Sequence, residues 1–395
     1  MSTIVRAADA AQFLSLLPQL VGCRPARSLV VVPMSGARSL GALRVDLPPS
    51  GVADATDAVA ATAIGMACRI PPVDGVVVVT YTDAALADSP TPHRELVEAV
   101  ASRAEACGLT VRDALIVAAD GWGSYLDDAP ARPLSEVEGE PAPIGDQVSG
   151  ARLPEPAPAR RRAVAQALRS LESALSAVCG IPPKPATRGR AGVGPEPRID
   201  PAALQAACRL DDLPSFFEEV LGSSRAAATT AADARPESVD AAALAPIDAA
   251  ALAPMDAAAL GWCLERPSLR DVAIVQWASD LSGGDEALEA QRRWEDGAEY
   301  PTDLASVLWG EGPKPDAGRL ERALELVREV AALLPKRRRA GALAVCAWLS
   351  WALGRSSHAD RYAEHALHLD RTQGLADIVR SFVAAAHLPD WAFTP

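Results

Sequence analysis

The run Gly22-Cys23-Arg24-Pro25-Ala26-Arg27-Ser28-Leu29-Val30-Val31-Val32 constrains the fold of this chain more than any other stretch. A proline turn feeds a β-branched run with no polar alternation, the pattern of a strand buried on both faces. Ser35-Gly36 supplies a turn, and the chain returns through Leu40–Leu47 to Arg44-Val45-Asp46-Leu47-Pro48. Two apolar runs joined so tightly read as an antiparallel hairpin.

The hairpin sits in an alternation of helix and strand signals over 1–127. Phe13, Leu16, Leu17 and Leu20, three and four apart, mark an opening helix at about Ala8–Leu20. Val52–Ile70 reads as a helix, Gly75–Tyr81 as a buried valine-rich strand, and His93–Cys107 as a helix ended by Gly108. Val111–Ala118 reads as the last strand. From the second strand onward the order is β-α-β-α-β, which predicts a mostly parallel sheet with one hairpin edge.

These landmarks resemble the N-terminal signature of a large actinobacterial family whose defining domain has no assigned function. Tyr81-Thr82-Asp83 and Gly121-Trp122-Gly123-Ser124-Tyr125 are similar to its second and third landmarks, and Leu269-Arg270-Asp271 and Ala347–Gly354 to its C-terminal ones. The resemblance implies an uncharacterised protein and carries no activity with it. The chain departs from the pattern after Ser124-Tyr125. Leu126-Asp127-Asp128-Ala129-Pro130 stands where relatives often carry cysteines, so no thiol or metal role for that loop transfers here.

Seven prolines between Pro130 and Pro158 mark residues 128–158 as a linker. A helical segment is expected over 159–222, opening with Val164, Leu168, Leu171 and Leu175 on one face and interrupted by a Pro/Gly/Arg-rich spacer at 181–197. Asp200-Pro201 starts its second helix, with aspartate as cap and proline in the first turn. Residues 223–261 form an Ala/Pro low-complexity segment, in which Asp240-Ala-Ala-Ala-Leu recurs at Asp248 and Asp256. A period of eight is too short for a solenoid. Residues 262–387 read as an all-helical domain. Its Trp-bearing helix ending at Leu353-Gly354, followed by Ala363 and Ala366, looks partly tetratricopeptide-like.

Composition removes several kinds of chemistry. The net charge of −13 disfavours a nucleic-acid partner. The basic clusters Arg160–Arg162 and Lys336–Arg339 lack interleaved aromatics and read as solvated helix faces. No apolar run is long enough for a membrane span, and the start lacks the apolar core of a secretory signal, so a cytoplasmic location is expected. The first lysine is Lys184, which excludes a Walker-type loop or a Schiff-base lysine from the N-terminal domain. Seven cysteines, no two closer than about 30 residues, fit no local metal or redox motif and read as small buried hydrophobes.

Two functions of different class remain. One is a non-enzymatic module whose C-terminal helices meet a protein partner. The other is a small-ligand or metal-dependent enzyme at the carboxyl ends of the strands, where Asp46, Asp83 and Asp120 fall beside Arg44, Tyr81 and Trp122. Turn and cap residues are the plainer account of those aspartates. The glycines around Trp122 read as a turn anchored by aromatics sooner than as a phosphate loop. His358, His365 and His368 share one helical arc along a polar margin and read as surface residues. His93, alone in the N-terminal domain, is expected to start or cap a helix. Neither a cofactor nor a catalytic residue is assigned.

Overall fold

The computed structural model describes residues 7, 9–49, 51–89, 91–127, 129–137, 145–180, 199–222 and 252–393. They divide into two compact units, Met1–Arg152 with Ala392–Pro395, and Leu153–Trp391.

The first unit is built on one mixed sheet. Its strands are β1 (Ser28–Ser35), β2 (Arg38–Ser39), β3 (Leu43–Asp46), β4 (Gly75–Tyr81), β5 (Thr110–Val117) and β6 (Trp122–Ser124). β1 pairs antiparallel with β2 and β3 on one side and antiparallel with β4 on the other; β4 pairs parallel with β5, and β5 antiparallel with β6. A single parallel pairing corrects the expected mostly parallel sheet. A crossover helix fixes the direction of the strands it joins, not their adjacency. β3, β4 and β5 do run the same way, but β1 lies between β3 and β4 because it formed the hairpin with β3.

Leu29–Val32 and Val76, Val78 and Val79 have essentially no exposed surface, as their unbroken apolar runs require. Leu29, Val31, Val76 and Val78 face α2 (Ala53–Cys68) and α3 (Arg94–Ala106). Val30, Val32, Val77 and Val79 face Leu14 and Leu17 of α1 (Ala10–Val21). Asp9 caps α1 by accepting from the Gln12 N–H, and Gly22, at φ 81°, ends it in the left-handed conformation that glycine adopts without strain.

The proline-rich stretch carries specific contacts that proline content could not reveal. Arg132 exchanges both backbone hydrogen bonds with Trp122, at 2.8 and 2.9 Å. Gln147, largely buried, accepts from the Ala26 N–H at 3.2 Å and donates to the Ala26 carbonyl, fixing the loop that enters β1. Proline at neighbouring positions does not prevent such long-range side-chain clamps.

The second unit is helical: α4 (Pro158–Cys179), α5 (Pro201–Arg209), α6 (213–222), α7 (Pro254–Leu264), α8 (Pro267–Ala278), α9 (Leu281–Glu295), α10 (Thr302–Leu308), α11 (Ala317–Leu333), α12 (Ala340–Ala352), α13 (Ser356–Leu369) and α14 (Gly374–Ala384). Every residue of α12 is buried, against α11, α13, α14, α7 and α8. A helix that is apolar on all sides must be enclosed by its neighbours. The spacer at 181–197 and the first repeats at Asp240 and Asp248 lie outside the described residues, apart from the end of the Asp248 unit. The Asp256 repeat is part of α7.

The basic cluster at Lys336–Arg339 is not a solvated helix face. Lys336–Arg338 is a 3-10 turn, Arg338 bridges Glu172 (2.7 Å) and Glu265, and Arg339 donates to the Leu334 and Ala332 carbonyls at the end of α11. His358 is buried, His365 half-buried and only His368 exposed, because α13 is packed on two sides, by α12 and α14.

Candidate functional site at the carboxyl end of the sheet

Strand register places one row of residues across the end where β3, β4 and β5 finish. Asp46 faces Ser28, Ser28 faces Tyr81, Tyr81 faces Val117 and Val117 faces Trp122. Residues directly opposite point to the same side of a sheet. The row therefore alternates in character: polar at β3 and β1, aromatic and apolar beyond.

The three aspartates share this end and do not form a group. Asp46 pairs with Arg44 at 2.8 Å. Asp83 pairs with Arg27 at 3.1 Å, both side chains more than two-thirds exposed. Asp120 accepts from the Leu86 and Ala87 N–H groups at 2.7 and 3.0 Å, which lowers its pKa and ties down the loop after β4. Among the described residues no set of three or more His, Cys, Asp or Glu side chains could hold a metal ion.

Tyr81 and Trp122 are buried in the apolar cluster beneath α1 and present no ring to solvent. Burial holds the Tyr81 hydroxyl above its ordinary range. Gly121–Tyr125 is neither a free turn nor a phosphate loop but the edge strand β6 with its flanks. Trp122 and Tyr125 point to opposite faces, and a side chain at Gly121 would strike the Arg132 carbonyl at 2.8 Å. Arg44 remains polar but is enclosed, donating to the Ser28 hydroxyl at 2.5 Å as well as to Asp46.

A different polar set lies beside the row. His93 starts α3 in the left-handed region, φ 62°, without capping the helix with its ring. Its Nε2 instead lies 3.2 Å from the Thr82 hydroxyl. Thr82 also accepts from the Ala84 N–H at 3.2 Å, which leaves the hydroxyl proton free to point at the ring. Burial lowers the His93 pKa, favouring the neutral ring that can accept that proton. Tyr125 supports this corner from beneath by donating to the Pro92 carbonyl at 2.6 Å.

Arg27, at φ 44°, is a second non-glycine residue in the left-handed region, and its guanidinium reaches Asp83, next to Thr82. Such backbone positions cost about 1–3 kcal/mol and concentrate where a chain is shaped for a ligand. Sequence reading passed over Thr82, a neutral residue between two better candidates, and took His93 for a helix start. The lone histidine just ahead of a helix, eleven residues beyond Thr82, was the available signal.

A family model described as Domain of unknown function (DUF4192) matches residues 11–299. The chain belongs to this family. No curated protein and no solved structure matches it. The DUF4192 match runs from α1 to just past α9, so α10–α14 lie beyond it. The carboxyl-end corner of the sheet lies wholly within the DUF4192 portion.

Proposed function

We propose that the α/β unit binds a small polar ligand with an acidic group at the carboxyl end of β4 and β5. The observation that carries this reading is the His93–Thr82 contact, made by a histidine in a strained backbone conformation at the end of the parallel pair β4–β5. Open α/β sheets bind ligands beyond the carboxyl ends of parallel strands. The Arg27–Asp83 pair is exposed and worth at most ~1 kcal/mol, so an incoming anion can take over the guanidinium. Binding fits better than catalysis. Among the described residues no carboxylate orients His93 Nδ1, and a nucleophile–base pair needs that third group.

The metal-dependent alternative has little geometric support, since each aspartate is engaged separately. A protein partner for the C-terminal helices has one specific observation behind it. Trp309 is half exposed while stacked edge-on against Phe382 of α14, in helices that extend past the family match. The engagement of Arg338 and Arg339 inside the bundle supports the expectation of no nucleic-acid partner. No described helix is long and apolar enough to cross a membrane; a cytoplasmic location is part of this reading.

The test is a thermal-shift screen of the full chain against small carboxylic acids and phosphorylated metabolites. A hit is expected to raise the melting temperature of the wild-type protein and to lose its effect in Thr82→Ala and His93→Gln. Hits that act equally on both variants would refute the location.

A further inference from the structure

Cys68 is the last residue of α2, and Cys107 is the residue that caps α3. The two helices lie side by side on one face of the sheet. Arg103 of α3 fixes their register by donating to both carboxylate oxygens of Asp57 on α2, at 3.2 and 2.5 Å. Six residues lead from Cys68 to β4 and two from Cys107 to β5, neighbouring strands paired from Gly75 and Thr110 onward. The carboxyl ends of α2 and α3 therefore lie toward the same end of the sheet. Both cysteines are exposed, and partial burial together with the neighbouring Cys107 thiol raises the Cys68 pKa. The expectation that cysteines here are buried hydrophobes holds for Cys23, Cys263 and Cys346 and fails for this pair.

We infer that Cys68 and Cys107 are a redox modification site, closing reversibly into a disulfide in the presence of a peroxide. One thiolate attacks a peroxide oxygen; the O–O bond breaks, hydroxide leaves and is protonated to water, and a sulfenic acid remains. The second thiolate attacks that sulfur, forms the S–S bond and expels hydroxide as a second water. Two electrons pass from the sulfurs to the peroxide, and two thiol protons end in water. A small-molecule thiol reverses the step by exchange, becoming a disulfide itself. The closed bond joins the ends of α2 and α3 across a loop that contains β4 and α3.

Intact-mass and peptide mass spectrometry of the full chain, alkylated before and after a small excess of hydrogen peroxide, tests this. The wild-type protein should lose the mass of two hydrogens and two alkylatable thiols, yield a peptide linking Cys68 to Cys107, and recover both thiols with dithiothreitol. Its melting temperature should rise by roughly 5 °C or more when oxidised. Cys68→Ser should give no internal link and should accumulate oxygen adducts on Cys107. No linked peptide in the wild type, a link from either cysteine to any other or to a second chain, or an internal link surviving in Cys68→Ser would overturn the inference.

Discussion

At the scale of single residues, the polar end of the sheet is organised by competition for each side chain. Asp120 is taken by two backbone N–H groups, Asp46 by Arg44, and Asp83 by Arg27. His93 is left to the Thr82 hydroxyl, in an environment that lowers its pKa by burial. A histidine whose folded pKa lies below its unfolded value near 6.5 favours the native state most when neutral. Its contribution is complete above that value and is lost as the pH falls through the folded pKa, because the unfolded chain then binds the extra proton. The His93 ring protons, followed by NMR, are expected to titrate with a midpoint below 6.5. The His93→Gln variant should lose less stability than the wild type as the pH falls from about 7 to 5. A midpoint at or above 6.5 would contradict the assigned environment.

At the scale of elements, long apolar runs were legible and strand neighbours were not. The valine runs of β1 and β4 announce interior strands, and the observed bounds of β4 coincide with the sequence reading. Val78 has no exposed surface in the middle of β4. Val78→Asp would bury an unpaired charge, at a cost of several kcal/mol, and should abolish soluble expression; a soluble variant with a cooperative melt would show the run is not interior. The order of strands could not be read, because the hairpin and the β3-α2-β4 connection each satisfy their local rules with β1 at an edge or in the middle. β6 was missed because three residues around a glycine carry too little pattern to register as a strand. In the helical unit, Gly341 lies where α12 crosses the end of α7, and a Cβ there would meet the Leu264 carbonyl. Backbone on the other side cannot yield as a side chain would, so Gly341→Ala should lower stability by about 1–3 kcal/mol in denaturant melts. No measurable loss would mean the helices can part there.

At the scale of the whole molecule, family membership and the order of an N-terminal α/β portion followed by a mostly helical one were accessible from sequence landmarks. The site was only partly so. Sequence reading set its candidate at the same end of the sheet as the corner proposed here, but chose carboxylates by their position after strands. Which partner each carboxylate takes depends on loops far away in sequence, such as the Leu86 and Ala87 N–H groups that bind Asp120. A consequence separates the two accounts of that rim. Mg²⁺, Mn²⁺ and Ca²⁺ should leave the melting temperature unchanged, and Asp83→Asn should be close to neutral, since it removes only an exposed pair. A clear stabilisation by one of these ions, abolished in Asp83→Asn, would restore the cation site. The most direct measurement is a crystal of the full chain soaked in a mixture of small carboxylic and phosphorylated fragments. Bound fragments are predicted within hydrogen-bonding reach of Thr82 Oγ1 and His93 Nε2, with Arg27 turned from Asp83 toward the acid group. Fragments that gather elsewhere and leave this corner empty would contradict the account.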